Sequence, residues 1–280
     1  MNPAIFSLKF FWLVETHSLS YKDSDICYYR FGNGPKAALC FHGYGEDALS
    51  FFFLEKFIGN EYSLYAIDLP FHGKTQWNEG PDFSVDELQK IIDGIVPQNE
   101  KLTLIGFSLG GRVALSLFQK MPLRIDKILL LAPDGLKINP WYWLATQTRL
   151  GNRFFSFTMK YPGWFFLFLR LLNNFDLANS SIFKFVKYYI DNKEVRMQLY
   201  NRWTSLRKLK PDLKQIKFFI LQYKTPVRLI YGKHDRIILP VRGEKFRKGI
   251  EDYCSLKVIH SGHQVLHEKH SQEILPILLF

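Results

Sequence analysis

Hydrophobic and polar positions fall into two rhythms along this chain. Short runs rich in apolar and β-branched residues, Ile26 to Phe31, Ala37 to Phe41, Ser63 to Ile67, Leu102 to Ile105 and Lys127 to Leu131, predict strands. Between them lie patterns with apolar residues three and four apart. Ser84 followed by Glu87 reads as a capping box opening a helix to Ile95, and Gly110 to Gln119 reads as a second helix. The alternation resumes near the carboxyl end with a strand at Val227 to Tyr231, a helix at Val241 to Ile250, a strand at Ser255 to Ile259 and a closing helix at Val265 to Leu279. Strands that alternate with helices imply a mostly parallel sheet covered on both faces. The first two runs, separated by Gly32-Asn33-Gly34, predict a hairpin at the sheet's start.

The stretch from Leu136 to Lys224 breaks this rhythm. Trp141, Trp143, Phe154, Phe155, Phe157, Trp164, Phe165, Phe166, Phe168 and Trp203 stand there among Lys and Arg, which predicts a helical insertion in one α/β domain. That segment carries 16 Lys and Arg against 4 Asp and Glu, while the rest of the chain carries 21 against 22, so the net charge of +11 is concentrated in it. An anionic substrate or an anionic membrane surface suits such a segment. Nucleic acid is not expected, because no recognition motif accompanies the charge.

At 280 residues and 47% hydrophobic composition the chain is long and apolar enough for a substantial core. Its greasiest runs, Phe10 to Val14 and Trp164 to Leu169, fall short of the roughly 20 residues that span a bilayer. The first residues lack a basic start and a small-residue cleavage site, so a cytoplasmic protein is expected. Cys27, Cys40 and Cys254 are odd in number and far apart, which predicts buried thiols rather than disulfides or a zinc site.

Gly106-Phe107-Ser108-Leu109-Gly110 follows a predicted strand and opens a predicted helix, the setting of a nucleophile elbow. A serine on so sharp a turn is strained, and side chains on either side would collide with the neighbouring strand and helix. A hydroxyl needs a base to become nucleophilic. His263, in Ser261-Gly262-His263-Gln264 after the last strand, is the candidate. An imidazole in turn needs a carboxylate to fix its tautomer, and Asp235, after the strand that ends at Tyr231, is the leading candidate. Asp134, at the end of the preceding strand, competes with it. Oxyanion donors are expected from the N–H groups of Tyr44, in the loop His42-Gly43-Tyr44-Gly45, and of Leu109. His42 is read as ordering that loop.

His42-Gly43-Tyr44-Gly45, Asp68-Leu69-Pro70-Phe71-His72-Gly73, Gly106-Phe107-Ser108-Leu109-Gly110-Gly111, Gly232-Lys233-His234-Asp235 and Gly262-His263, in this order, resemble the α/β-hydrolase superfamily. The resemblance covers nearly the whole chain and is most similar to the capped branch of carboxylesterases, lipase-like enzymes and carbon-carbon bond hydrolases. It implies an eight-stranded, mostly parallel sheet, with core residues 1–135 and 225–280 and a helical cap, or lid, over 136–224 inserted after the sixth strand. It also implies a small-molecule acyl substrate and neither cofactor nor metal, and the aromatic residues of the cap suggest that this substrate is apolar or aromatic. Ser108 at the nucleophile position sets the chain apart from dehalogenases and epoxide hydrolases of this fold, which use Asp there. Thioester cleavage, carbon-carbon bond cleavage and a lipase directed at lipids or phospholipids are alternatives, as is a protein that keeps the fold only to bind a ligand or partner.

Overall fold

The computed structural model describes residues 15–98, 100–137, 139–174 and 190–279, so the Phe10 to Val14 run lies outside the described residues. Eight strands form one sheet: β1 (Thr16–Tyr21), β2 (Ser24–Phe31), β3 (Lys36–Phe41), β4 (Tyr62–Ile67), β5 (Leu102–Phe107), β6 (Ile125–Leu131), β7 (Val227–Gly232) and β8 (Cys254–Ile259). Their order is β1-β2-β4-β3-β5-β6-β7-β8. The two pairings of β2, with β1 and with β4, are antiparallel, and all others are parallel. This is the α/β-hydrolase architecture, a mostly parallel eight-stranded sheet flanked by helices.

The central strand β5 is buried at every position, as expected of a strand covered on both faces. The core gathers Ala38, Cys40, Leu64, Ala66, Ile105, Phe107, Leu129, Leu131 and Ile230 from the sheet with Phe51, Leu54 and Ile58 from a run of helical turns at 48–58. Helix α1 (Val85–Ile95) begins at the capping box, with Ser84 Oγ accepting from the Glu87 N–H and the Glu87 carboxylate accepting from the Ser84 N–H. Helix α2 (Leu109–Lys120) leaves the end of β5 and packs on β3, β5 and β6.

The opening hairpin differs from the expected one. It joins β1 to β2, not β2 to β3, and β3 crosses over to sit between β4 and β5. The sequence Thr16–Tyr21 alternates without a strong apolar face, and the turn places Lys22, not glycine, at a φ of 54°. Gly32 and Gly34 instead pass against Gly59 and Glu61–Tyr62, so closely that a Cβ on Gly34 would lie 2.1 Å from the Glu61 carbonyl carbon. His17, in β1, pairs with Tyr28 of β2.

The chain divides into two compact units. The first holds the sheet, and the second comprises Gly80–Phe83 with Ile138–Lys208. Most of the expected insertion, 136–224, falls in this second unit, while its last residues, 209–224, group with the first. Within the second unit, helices α3 (Pro140–Gln147), α4 (Arg149–Lys160), α5 (Gly163–Asn174) and α6 (Lys193–Ser205) are each short; Asn139, Thr148 and Asn192 cap α3, α4 and α6 with their side chains. Tyr142 packs on Trp203, and Phe155 on both Tyr200 and Trp203. Asp82 receives Arg207 Nε at 3.0 Å and Lys208 Nζ at 2.9 Å, tying residues 80–83 to the end of the insertion.

Helix α7 (Leu213–Tyr223), expected in the insertion, belongs to the first unit. Ile216 and Ile220 are buried, the Phe219 ring meets Phe118 edge-on, and Gln119 on α2 bonds the Gln215 side chain and the Asp212 N–H. Helices α8 (Pro240–Arg247) and α9 (Ser271–Leu279) complete the first unit. α9 starts later than the predicted Val265, because His267 N-caps a short 3-10 turn at Glu268–His270 that precedes it.

Candidate active site

The candidate site lies where β3, β5, β7 and β8 end, the edge of a parallel sheet at which loops converge. Ser108 links β5 to α2 with φ 49° and ψ −113°, a conformation L-residues rarely adopt. Backbone bonds hold it there. Its N–H donates to the Leu131 carbonyl at 2.9 Å, and its own carbonyl accepts from the Gly111 and Asp134 N–H groups at 2.9 and 2.8 Å. The flanking glycines are required by close approach. A Cβ on Gly106 would lie 2.5 Å from the Gly110 carbonyl oxygen, and one on Gly110 would lie 1.8 Å from that of Phe41.

His263 stands between Ser108 and Asp235. Its Nε2 is 2.9 Å from Ser108 Oγ and its Nδ1 is 2.7 Å from Asp235 Oδ2. A carboxylate only accepts, so Nδ1 carries the ring proton and Nε2 turns its lone pair to the serine hydroxyl. The Asp235 side chain is fully buried, and its other oxygen accepts from the Ile237 and Ile238 N–H groups at 2.7 and 2.9 Å. Those bonds fix the carboxylate's orientation. Asp134, the competing acid, is turned elsewhere and pairs with Arg112 at 3.4 Å. It serves the elbow through its N–H.

The loop after β3 is braced from two sides. His42 is buried; its Nε2 accepts from the Leu69 N–H at 3.1 Å, which leaves Nδ1 to donate to the Gly43 carbonyl at 2.8 Å. Asp68, buried at the end of β4, accepts from the Ala48 and Lys74 N–H groups at 2.7 and 2.8 Å, and burial raises its pKa above the ordinary carboxylate value. Tyr44 follows Gly43 and meets the His72 ring edge-on. Phe41 pairs with Gly106 in the sheet, so this loop and the elbow leave neighbouring strands. Leu109, the first residue of α2, carries an N–H that no carbonyl within its helix can reach.

Sequence patterns did not point to Glu46. One of its oxygens accepts from Gln264 Nε2 at 2.9 Å and the other from the Gly43 N–H at 3.3 Å, so it links the β3 loop to the residue beside His263. Burial raises its pKa as well. An acid three residues after Gly43 was the only available signal. His234 turns away from Asp235 and places its Nε2 3.1 Å from Nε2 of His260, which lies just beyond β8.

Cys27, Cys40 and Cys254 are free and buried, and burial pushes the thiols of Cys27 and Cys254 up to about 11 and about 12. Among the described residues no group of three or more His, Cys, Asp or Glu could hold a metal ion, and no helix is long and apolar enough to cross a membrane.

A mostly parallel eight-stranded sheet, with a strained serine at the end of its central strand, defines a hydrolase of the α/β-hydrolase fold. Residues 34–270 match the family described as serine aminopeptidase, S33, and the chain belongs to that family. It is 21% identical over 250 residues to the uncharacterized hydrolase YugF of Bacillus subtilis (strain 168), covering 88% of this chain and 90% of that one. Over 124 residues it is 32% identical to the pimeloyl-[acyl-carrier protein] methyl ester esterase of Aeromonas salmonicida (strain A449), a match to 44% of this chain and 48% of that protein. In structure it is similar to lip1 of Acinetobacter baumannii AYE, with a TM-score of 0.64 and 20% identity over 99% of this chain and 95% of that one.

Proposed function

We propose that this chain hydrolyses a carboxylic ester, or a closely related acyl bond, through Ser108, His263 and Asp235. The observation that supports the reading is the unbroken line from Asp235 Oδ2 through the His263 ring to Ser108 Oγ, with steps of 2.7 and 2.9 Å, ending on a serine whose backbone is strained. Strain held by several backbone bonds is the mark of a side chain kept in one reactive direction.

Ser108 Oγ attacks the carbonyl carbon of a small-molecule acyl substrate as its proton passes to His263 Nε2. The N–H groups of Tyr44 and Leu109 receive the oxyanion. The intermediate collapses, the leaving alcohol takes the proton from Nε2, and the acyl group stays on Ser108. Water then loses a proton to Nε2, attacks the acyl carbon, and frees the acid as the proton returns to Oγ. Asp235 orients the imidazole and balances its charge throughout.

An ester suits this chain better than a peptide amine terminus. The esterase to which part of the chain is similar acts, by its name, on a methyl ester. Replacing Ser108 with Ala is expected to lower p-nitrophenyl butyrate hydrolysis by about 10⁶-fold and to abolish labelling by a fluorophosphonate probe. Turnover and labelling unchanged by S108A would overturn the assignment.

A further inference from the structure

Helix α4 is amphipathic in an unusual sense. Leu150, Phe154, Phe157 and Tyr161 recur along it and just past its end at helical spacing, within a sector of about 60°. That sector faces outward: Leu150 is 81% exposed, Phe154 56%, Phe157 50% and Tyr161 53%. The side chains that pack inward are others, Thr158 and Met159, both buried, and Phe155 on Tyr200 and Trp203. Arg149, Arg153 and Lys160, all exposed, form a second stripe along one edge of the apolar one, and Lys160 Nζ lies 5.4 Å from the Tyr161 ring centre.

The apolar face continues onto the next helix. The Phe154 ring meets Trp164 at 5.0 Å, and Leu167 and Phe168 are exposed beyond it on α5, while Trp141 and Leu144 are exposed on α3. Water-facing aromatics in such number carry a cost that a protein surface ordinarily avoids, and a patch of this kind marks a place of contact.

We propose that the α4–α5 face of the second unit docks on an anionic lipid membrane surface. Trp, Tyr and Phe settle at the boundary between headgroups and acyl chains, and Lys and Arg beside them reach lipid phosphates. The charge decides among occupants. The second unit holds 11 Lys and Arg against 4 Asp and Glu, a net +7, so a second copy of the same face is repelled and an anionic surface is attracted. A dissolved acyl substrate needs an enclosing wall, which side chains half or more exposed on the outside of a helix do not supply.

The test is co-sedimentation of the whole protein with phosphatidylcholine vesicles, with and without phosphatidylglycerol. Wild type is expected to bind the anionic vesicles at least about ten-fold more tightly than the neutral ones, and to lose that preference in high salt. R149E/R153E should lose the preference, and F154S/F157S should lose binding and the accompanying blue shift of tryptophan emission. Both pairs are exposed, so both variants should keep the wild-type far-ultraviolet circular dichroism and turnover of a water-soluble ester. S108A should bind as wild type does, which separates this proposal from the reading of Ser108. Equal binding to neutral and anionic vesicles, or binding untouched by both variants, would overturn it. So would a dimer in light scattering that F154S/F157S dissolves, or a loss of soluble-ester turnover in either variant with vesicle binding intact.

Discussion

The loops at the end of the sheet and the helices of the second unit place polar and apolar groups in opposite ways. In the first, Asp235, His42 and Asp68 are buried and each is held by two or more hydrogen bonds. In the second, Trp141, Leu150, Phe154 and Leu167 stand in water while arginines and lysines line their flank. Burying a polar group is tolerable only when its bonds are replaced, so the loops are held in the one arrangement that replaces them. Exposing an apolar group fixes nothing, and it is affordable where contact, not geometry, is the task. One region is defined by distances and the other by composition.

The largest effect that would break this contrast lies at the two acids. Asp235→Asn should lower kcat for a soluble ester by about 10⁴-fold, because an amide can donate to Nδ1 and favours the wrong tautomer. Asp134→Asn, at a position whose N–H bonds the carbonyl of the same serine, should change kcat by less than about three-fold, since its carboxylate meets Arg112 and not His263. Steady-state kinetics of the pair decides it. Equal losses would mean that both carboxylates serve the imidazole.

A middle-sized effect sharpens the contrast inside the second unit. Phe155→Ala should cost about 2 kcal/mol in urea unfolding, because the ring packs on Tyr200 and Trp203. Phe154→Ala, next to it on the outward stripe, should stay within about 0.5 kcal/mol. A comparable loss at both positions would show that the outward stripe is structural.

The smallest effect concerns pH. Burial raises the Glu46 pKa, so the folded chain holds that proton more tightly than the unfolded chain does. Stability from this group is therefore highest at pH values below the unfolded carboxylate pKa, and it declines as pH rises through the raised folded value. The Tm of wild type minus that of Glu46→Gln, measured from about pH 4 to pH 8, should fall as pH rises. A difference that climbs would mean that the bonds from Gln264 and Gly43 outweigh desolvation.

Legibility in the sequence followed the same division. Gly106 and Gly110 announce the elbow because a side chain at either would strike backbone, and no other residue type answers that demand. Ser108, His263 and Asp235 meet because each follows a strand of the same sheet, an arrangement that chain order and topology disclose. Glu46 gave little signal: its contact with Gln264 joins residues 218 apart in the chain, and only folding brings them together. β1 escaped notice because an edge strand with one covered face needs few apolar residues, and its turn uses Lys22 where glycine is customary. Helix α7 reads with the insertion because it continues both the helical pattern and the run of lysines, whereas its attachment to α2 is a matter of which face is apolar.

The turn at Ser108 rests on two positions with very different freedom to vary. At position 134 the elbow uses a main-chain N–H, which every amino acid except proline provides. At position 110 it uses the absence of an atom, which glycine alone provides. A family drifting apart in sequence could thus rewrite the first position freely and the second not at all, though both support the same turn. The durable signature of this site is empty space.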